Sequence, residues 1–159
     1  MGYKYVSNFR HMDEWQIKEL KELIKDKKAR SVMEIGTYAG QVTLMLAEVA
    51  EKVKTIDYNQ FHSPSVTDHL EMNTIRNVVF HGGDDLKTLF EDHFNSNIDL
   101  VYIDRDVEPK DITSYIKKNQ SGDVVIIKRE QDKFAVENVP LKPPTKRKSK
   151  ADKVTEPQT

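Results

Sequence analysis

Two acidic residues and a pair of glycines in the first half of this 159-residue chain have the types and spacing of a ligand site. Glu34, Gly36 and Gly40 fall within Glu34-Ile35-Gly36-Thr37-Tyr38-Ala39-Gly40, and Asp57 stands 23 positions after Glu34. Glycine accepts positive φ and lets the backbone come close to a ligand. A carboxylate at the spacing of Asp57, at the end of a second strand, takes both hydroxyls of a ribose. A pyrophosphate has no seat: the dinucleotide turn needs G-x-G-x-x-G, whereas Gly36 and Gly40 are spaced G-x-x-x-G around the bulky Tyr38. No G-x-x-x-x-G-K-S/T phosphate loop is present either. Glu34, facing the loop, suits a ligand that carries an ammonium group. Without a ligand, the same residues make a tight strand-to-helix turn.

Other chemistry is thinner. The chain has no cysteine, which excludes disulfides, thiolate metal sites and cysteine nucleophiles. Its five histidines show no ligand spacing; His62 and His81 follow strand ends, and His69 and His93 read as helix surface. Asp104 and Asp106 are close enough in sequence for a paired-acid site but are not read as sharing a proton. A net charge of −1 gives no global pull toward nucleic acid or an anionic membrane. The basic stretch 146–150 is a solvated tail with a possible weak contact to nucleic-acid phosphates. No apolar run reaches the ~18 residues that span a bilayer, and the N-terminal residues lack a secretory pattern. A cytoplasmic protein without membrane contact is expected.

The elements that must position these groups are legible as an alternation. Asp13 with Gln16 makes a capping box for a first helix, whose apolar stripe is Ile17, Leu20, Leu23 and Ile24. Short apolar runs at Ser31–Ile35, Val53–Ile56, Asn77–Phe80, Ile98–Ile103 and Val124–Ile127 read as buried parallel strands. Helical patterns separate them: Gln41–Ala50, a segment opening at Ser63-Pro64, Asp85–His93, and one from Pro109 through Tyr115. Residues 128–133 read as a charged turn before a last strand, Phe134–Val139, too close for a crossover and therefore antiparallel. The fold expected is α/β, a doubly wound, mostly parallel sheet with a short antiparallel last strand. Residues 1–29 are an N-terminal segment and helix, 30–139 the domain, and 140–159 a disordered tail with prolines and basic residues.

Four segments in order carry a family resemblance over roughly residues 30–128. Val32-Met33-Glu34-Ile35-Gly36-Thr37-Tyr38-Ala39-Gly40 resembles the first motif of the class I (Rossmann-like) S-adenosylmethionine (SAM) methyltransferases, nearest to the small-molecule O-methyltransferase group. Thr55-Ile56-Asp57-Tyr58-Asn59 resembles the second-strand motif, His81–Leu89 the family's G-D-x-L-x-x-L, and Ile98–Asp104 its D-L-V-F-I-D run. The resemblance implies SAM as cofactor. Glu34, Gly36, Thr37, Tyr38 and Gly40 would hold its methionine half, Asp57 the ribose and Tyr58 the adenine. Asp84 would take the adenine amino group, and Asp104 would stand at the reacting face.

Three departures fall on catalysis. The family group has a lysine or histidine three residues after the fourth-strand Asp; here that place is Val107, which cannot move a proton. Lys110, after Pro109, reads as a solvated helix start. The metal-dependent members end their fifth strand in Asp-Asp or Asp-Asn, whereas Lys128-Arg129 stand here, so no metal is expected and Asp104 can pair with one of these cations. The family's further helix and strand pair have no counterpart, so a truncated form is expected. Trp15 is placed in the core or over the cofactor, and Tyr3, Tyr5 and Phe9 in a lid. Two functions follow: a minimal, metal-independent methyltransferase for a small-molecule or polymer acceptor, or a catalytically inactive relative that binds protein or nucleic acid.

Overall fold

The computed structural model describes residues 12–58, 63–104 and 109–143. The elements run α1 (Glu14–Asp26), β1 (Ser31–Ile35), α2 (Gln41–Val49), β2 (Lys52–Tyr58), α3 (Ser63–Met72) and β3 (Val78–Gly83). They continue as α4 (Leu86–His93), β4 (Leu100–Ile103), α5 (Pro109–Asn119), β5 (Val124–Glu130) and β6 (Lys133–Val139). One six-stranded sheet has the order β3-β2-β1-β4-β5-β6. Every neighbouring pair is parallel except β5 and β6. The α/β sheet with an antiparallel last strand is therefore as the alternation predicts.

Each face of the sheet buries its own apolar layer. Met33, Ile35, Ile56, Val101 and Ile103 pack with Leu89 and Phe90 of α4 and Ile112 and Ile116 of α5. Val32, Val53, Leu100 and Tyr102 pack on the other side with Leu20 and Ile24 of α1 and Val42, Met45 and Leu46 of α2. Period-2 alternation along β1 and β4 produces this division. The stripe on α1 follows the 3.6-residue helical period, and Leu20 and Ile24 are its fully buried positions. The helix opens with the Asp13 N–H donating to Gln16 Oε1 at 3.0 Å.

The order reverses between β1 and β4, which places the topological switch point at their carboxyl ends. Two sequence expectations are corrected here. Lys128 and Arg129 are not in a turn: β5 continues through Glu130, and the hairpin is only Gln131-Asp132, with Gln131 at φ 55°. Trp15 is not in the core, being 55% exposed on α1. Its neighbour Met12 is buried instead. Gln41 holds Met12 from both sides, accepting from its N–H at 3.2 Å and donating to its carbonyl at 2.9 Å.

Candidate functional site at the switch point

The turn from β1 to α2 is built from left-handed residues. Gly36 (φ 101°), Tyr38 (φ 51°) and Gly40 (φ 90°) all lie in that region. For tyrosine this conformation costs roughly 1–2 kcal/mol. Tyr38 is held in it at both ends: its N–H donates to Asp57 Oδ2 at 2.9 Å, and its hydroxyl donates to the Asp104 carbonyl at 3.1 Å. The ring thus spans from the glycine turn to the end of β4.

Asp57 is fully buried, and its other oxygen accepts the Tyr58 N–H at 2.7 Å. The carboxylate therefore ties the turn to the end of β2. Thr37 adds a second tie, its hydroxyl 2.5 Å from that of Thr55. Asp104 stands just past β4, its N–H donating to the Ile35 carbonyl at 2.9 Å. Its carboxylate lies 3.6 Å from Arg129 Nη1, so of the two candidate cations Arg129 is the partner. A guanidinium at that distance opposes a divalent cation on the same carboxylate.

Glu34 is the chemically unusual member. It has no exposed surface. One oxygen accepts from Thr43 and, at 2.7 Å, from Thr55. The other, Oε2, is buried without a hydrogen-bond partner. Burial pushes the carboxyl up to about 8; the two threonine hydroxyls oppose the rise, and Asp104 and Asp57 add to it. Glu34 is in register with Thr55 on one side and Tyr102 on the other. The Tyr102 hydroxyl is also buried without a partner, and its acidity is pushed further down by burial and by Asp104 and Glu34. Two unpartnered polar atoms thus sit on paired residues of the two strands that flank the switch point.

No family model and no curated protein matches the sequence. Solved structures do match the fold. An O-methyltransferase from Bacillus cereus, crystallised with S-adenosylhomocysteine (SAH), is 25% identical over 74% of this chain and 56% of its own, with a TM-score of 0.62. A methyltransferase from Geobacter sulfurreducens is 19% identical over 74% and 60%, with a TM-score of 0.62. TomG of Streptomyces achromogenes, an O-methyltransferase of tomaymycin synthesis solved with SAM, is 21% identical over 74% and 56%, at 0.58. The chain has the class I methyltransferase fold. It spans little more than half the length of these solved chains.

Within that methyltransferase fold, the residues expected from sequence are gathered unequally. Glu34, Thr37, Tyr38, Asp57 and Asp104 are held by the bonds described above, and Gly36 and Gly40 flank Thr37 and Tyr38 in the same turn. Tyr58 is half-buried against the β1–α4 layer. Asp84 is exposed after β3, and it is Asp85 that caps α4, accepting from the Lys87 N–H at 3.1 Å and the Thr88 hydroxyl at 2.8 Å. His81 lies inside β3 rather than after it, and its ring stacks on His93 with centroids 3.6 Å apart, so His93 is not a plain surface residue. Val107, Arg105, Asp106, His62, the 146–150 stretch and Tyr3, Tyr5 and Phe9 lie outside the described residues, as do the side chains of Lys110 and His69.

The residues that sequence reasoning passed over are Thr43, Thr55 and Tyr102. The D-L-V-F-I-D run that Ile98–Asp104 resembles has phenylalanine at the place of Tyr102. Removing the hydroxyl with Tyr102→Phe deletes a buried polar atom that has no partner. The ligand-free variant is expected to be more stable by about 1 kcal/mol, a rise of a few degrees in thermal midpoint. A fall of similar size would mean that the hydroxyl has an acceptor, such as an internal water.

Proposed function

We propose that this chain binds SAM at the β1–β4 switch point and acts as a minimal, metal-independent methyltransferase. The observation that carries this reading is Glu34 Oε2, a buried carboxyl oxygen beneath the glycine turn that lacks a donor. An unpaired buried oxygen of this kind costs about 1–3 kcal/mol. An ammonium supplies the missing donor and favours the ionised carboxylate, so the methionine amine fits. Gly36, Thr37, Tyr38 and Gly40 would line the same half of the cofactor. Asp57 and Tyr58 would take the ribose and adenine, and Asp84 the adenine edge.

When bound, SAM supplies a methyl group activated by its sulfonium. Transfer depends mainly on alignment of the acceptor, and no strong base is required when the acceptor is already nucleophilic. Asp104 would orient the acceptor by accepting its hydrogen bond, with Arg129 holding the carboxylate in place. Tyr38, bonded to the Asp104 carbonyl, would fix the strand end on which that alignment rests. The Arg129–Asp104 pair also favours a second reading, in which the fold binds cofactor or partner without transfer.

Calorimetric titration with SAM and with SAH tests the binding step. Both are expected to bind, with affinities unaltered by Mg²⁺ or EDTA. Absence of heat and of any thermal-shift response with either ligand would leave only a scaffold function.

A further inference from the structure

β6 closes one side of the sheet, and among the described residues no strand lies beyond it. Its pairing with β5 fixes which of its groups are available. The two-residue turn makes Glu130 and Lys133 a pair that exchanges both backbone bonds. Lys133, Ala135 and Glu137 therefore direct their N–H and C=O groups inward to β5. Phe134, Val136 and Asn138 direct theirs away from β5.

The side chains of this edge are complementary to themselves. Lys133-Phe134-Ala135-Val136-Glu137, laid antiparallel against a second copy about Ala135, sets Lys133 opposite Glu137 and Phe134 opposite Val136. Two-fold symmetry repeats both pairs. Lys133 and Glu137 are exposed, and neither has an ion-pair partner among the described residues. Val136 is 39% exposed, and Phe134 is half-buried against the layer under α1 and α2. At the two-fold, Ala135 would face its own copy in a non-hydrogen-bonded pair, where Cα atoms approach to about 4.5 Å and side chains are crowded. Alanine is small enough for that position. A register centred on Val136 would instead set Lys133 opposite Val139 and Ala135 opposite Glu137, leaving all four charges unpaired.

We infer that β6 is a homodimer interface, in which two copies pair their β6 edges antiparallel about Ala135 into one continuous sheet. The partner is a second copy of this chain because the strand supplies both members of every cross-strand pair. A single seven-residue edge makes a small contact, so the dimer is a reversible one.

Sedimentation of the full chain over a range of concentrations tests this, with circular dichroism to confirm folding of each exposed-site variant. The unaltered chain is expected to move from the monomer mass toward twice that mass as concentration rises. Lys133→Glu and Glu137→Lys should each raise the dissociation constant at least tenfold, by setting like charges opposite each other. The double variant Lys133→Glu/Glu137→Lys should return it to within about threefold of the original. A chain that stays monomeric throughout would overturn the inference. So would a dimer insensitive to both single variants, or a double variant no better than either single.

Discussion

Glu34→Gln is expected to abolish the loss of stability that this carboxyl imposes between about pH 4.5 and pH 8. The Glu34 carboxyl is raised to about 8 in the folded state, chiefly by burial, while the unfolded chain holds it near its ordinary value of 4.5. Between those two values the folded state keeps a proton that the unfolded state releases. Stability therefore falls as pH rises through this window, by up to ~1.4 kcal/mol per pH unit, and is level above and below it. His81 contributes the opposite slope. Burial, then His93 and Lys54, lower its pKa, so its share of stability is present above 6.5 and is lost as pH falls through the lowered value. Comparing Glu34→Gln with the parent cancels that contribution. Glutamine keeps an acceptor for Thr43 and Thr55 but carries no titrating proton. Urea unfolding from about pH 5 to pH 9 should show the variant overtaking the parent on the alkaline side by roughly 3–4 kcal/mol. Parallel profiles would mean that Glu34 titrates near its ordinary value and that its site is wetter than its burial indicates. Saturating SAM should flatten the parent's profile too, because an ammonium beside Oε2 favours the ionised form.

The sheet was legible because buried parallel strands are continuous apolar runs, and Ser31–Ile35 coincides with β1 residue for residue. The end of β5 was not. Lys128, Arg129 and Glu130 read as a turn by composition, yet each is paired across the hairpin with Ala135, Phe134 and Lys133. Their strand character comes from that partner and not from their own hydropathy. The candidate site divides along the same line. Glycine spacing and the acidic positions fall within contiguous motifs, so Glu34, Gly36, Gly40 and Asp57 could be selected from sequence. Thr43, Thr55 and Tyr102 could not, because a threonine on a helix or a tyrosine in a strand carries no sign of its neighbour. Only the register sets Thr55 and Tyr102 on either side of Glu34, and only the first turn of α2 brings Thr43 over it. Arg129 stood between these cases: its charge was visible, and its pairing with Asp104 depends on β5 reaching past the end of β4.

Asp57→Asn should be the more damaging of the conservative substitutions at this site, lowering stability by about 2–4 kcal/mol with no ligand present. Both carboxylate oxygens accept backbone amides, from Tyr38 and from Tyr58, in a position with no exposed surface. An asparagine oxygen can replace one acceptor, but its NH₂ then faces the other amide, donor against donor. The buried N–H left unpaired carries the desolvation cost. If it is the Tyr38 N–H, the left-handed tyrosine also loses that restraint, and the turn that presents Gly36 and Gly40 relaxes with it. Asp57→Ala removes both acceptors and should cost more. Loss of SAM affinity in either variant therefore mixes a missing ribose contact with a displaced turn. Tyr38→Gly in the Asp57→Asn background separates them, since glycine adopts the left-handed conformation without strain and should recover roughly 1 kcal/mol. With the affinity of Tyr38→Gly alone as the reference, stability recovered without affinity would assign Asp57 to the ligand as well as to the turn; recovery of both would leave it a positioning residue alone. A loss below about 1 kcal/mol in Asp57→Asn itself would show that the two amides find other acceptors and that the turn does not depend on this carboxylate.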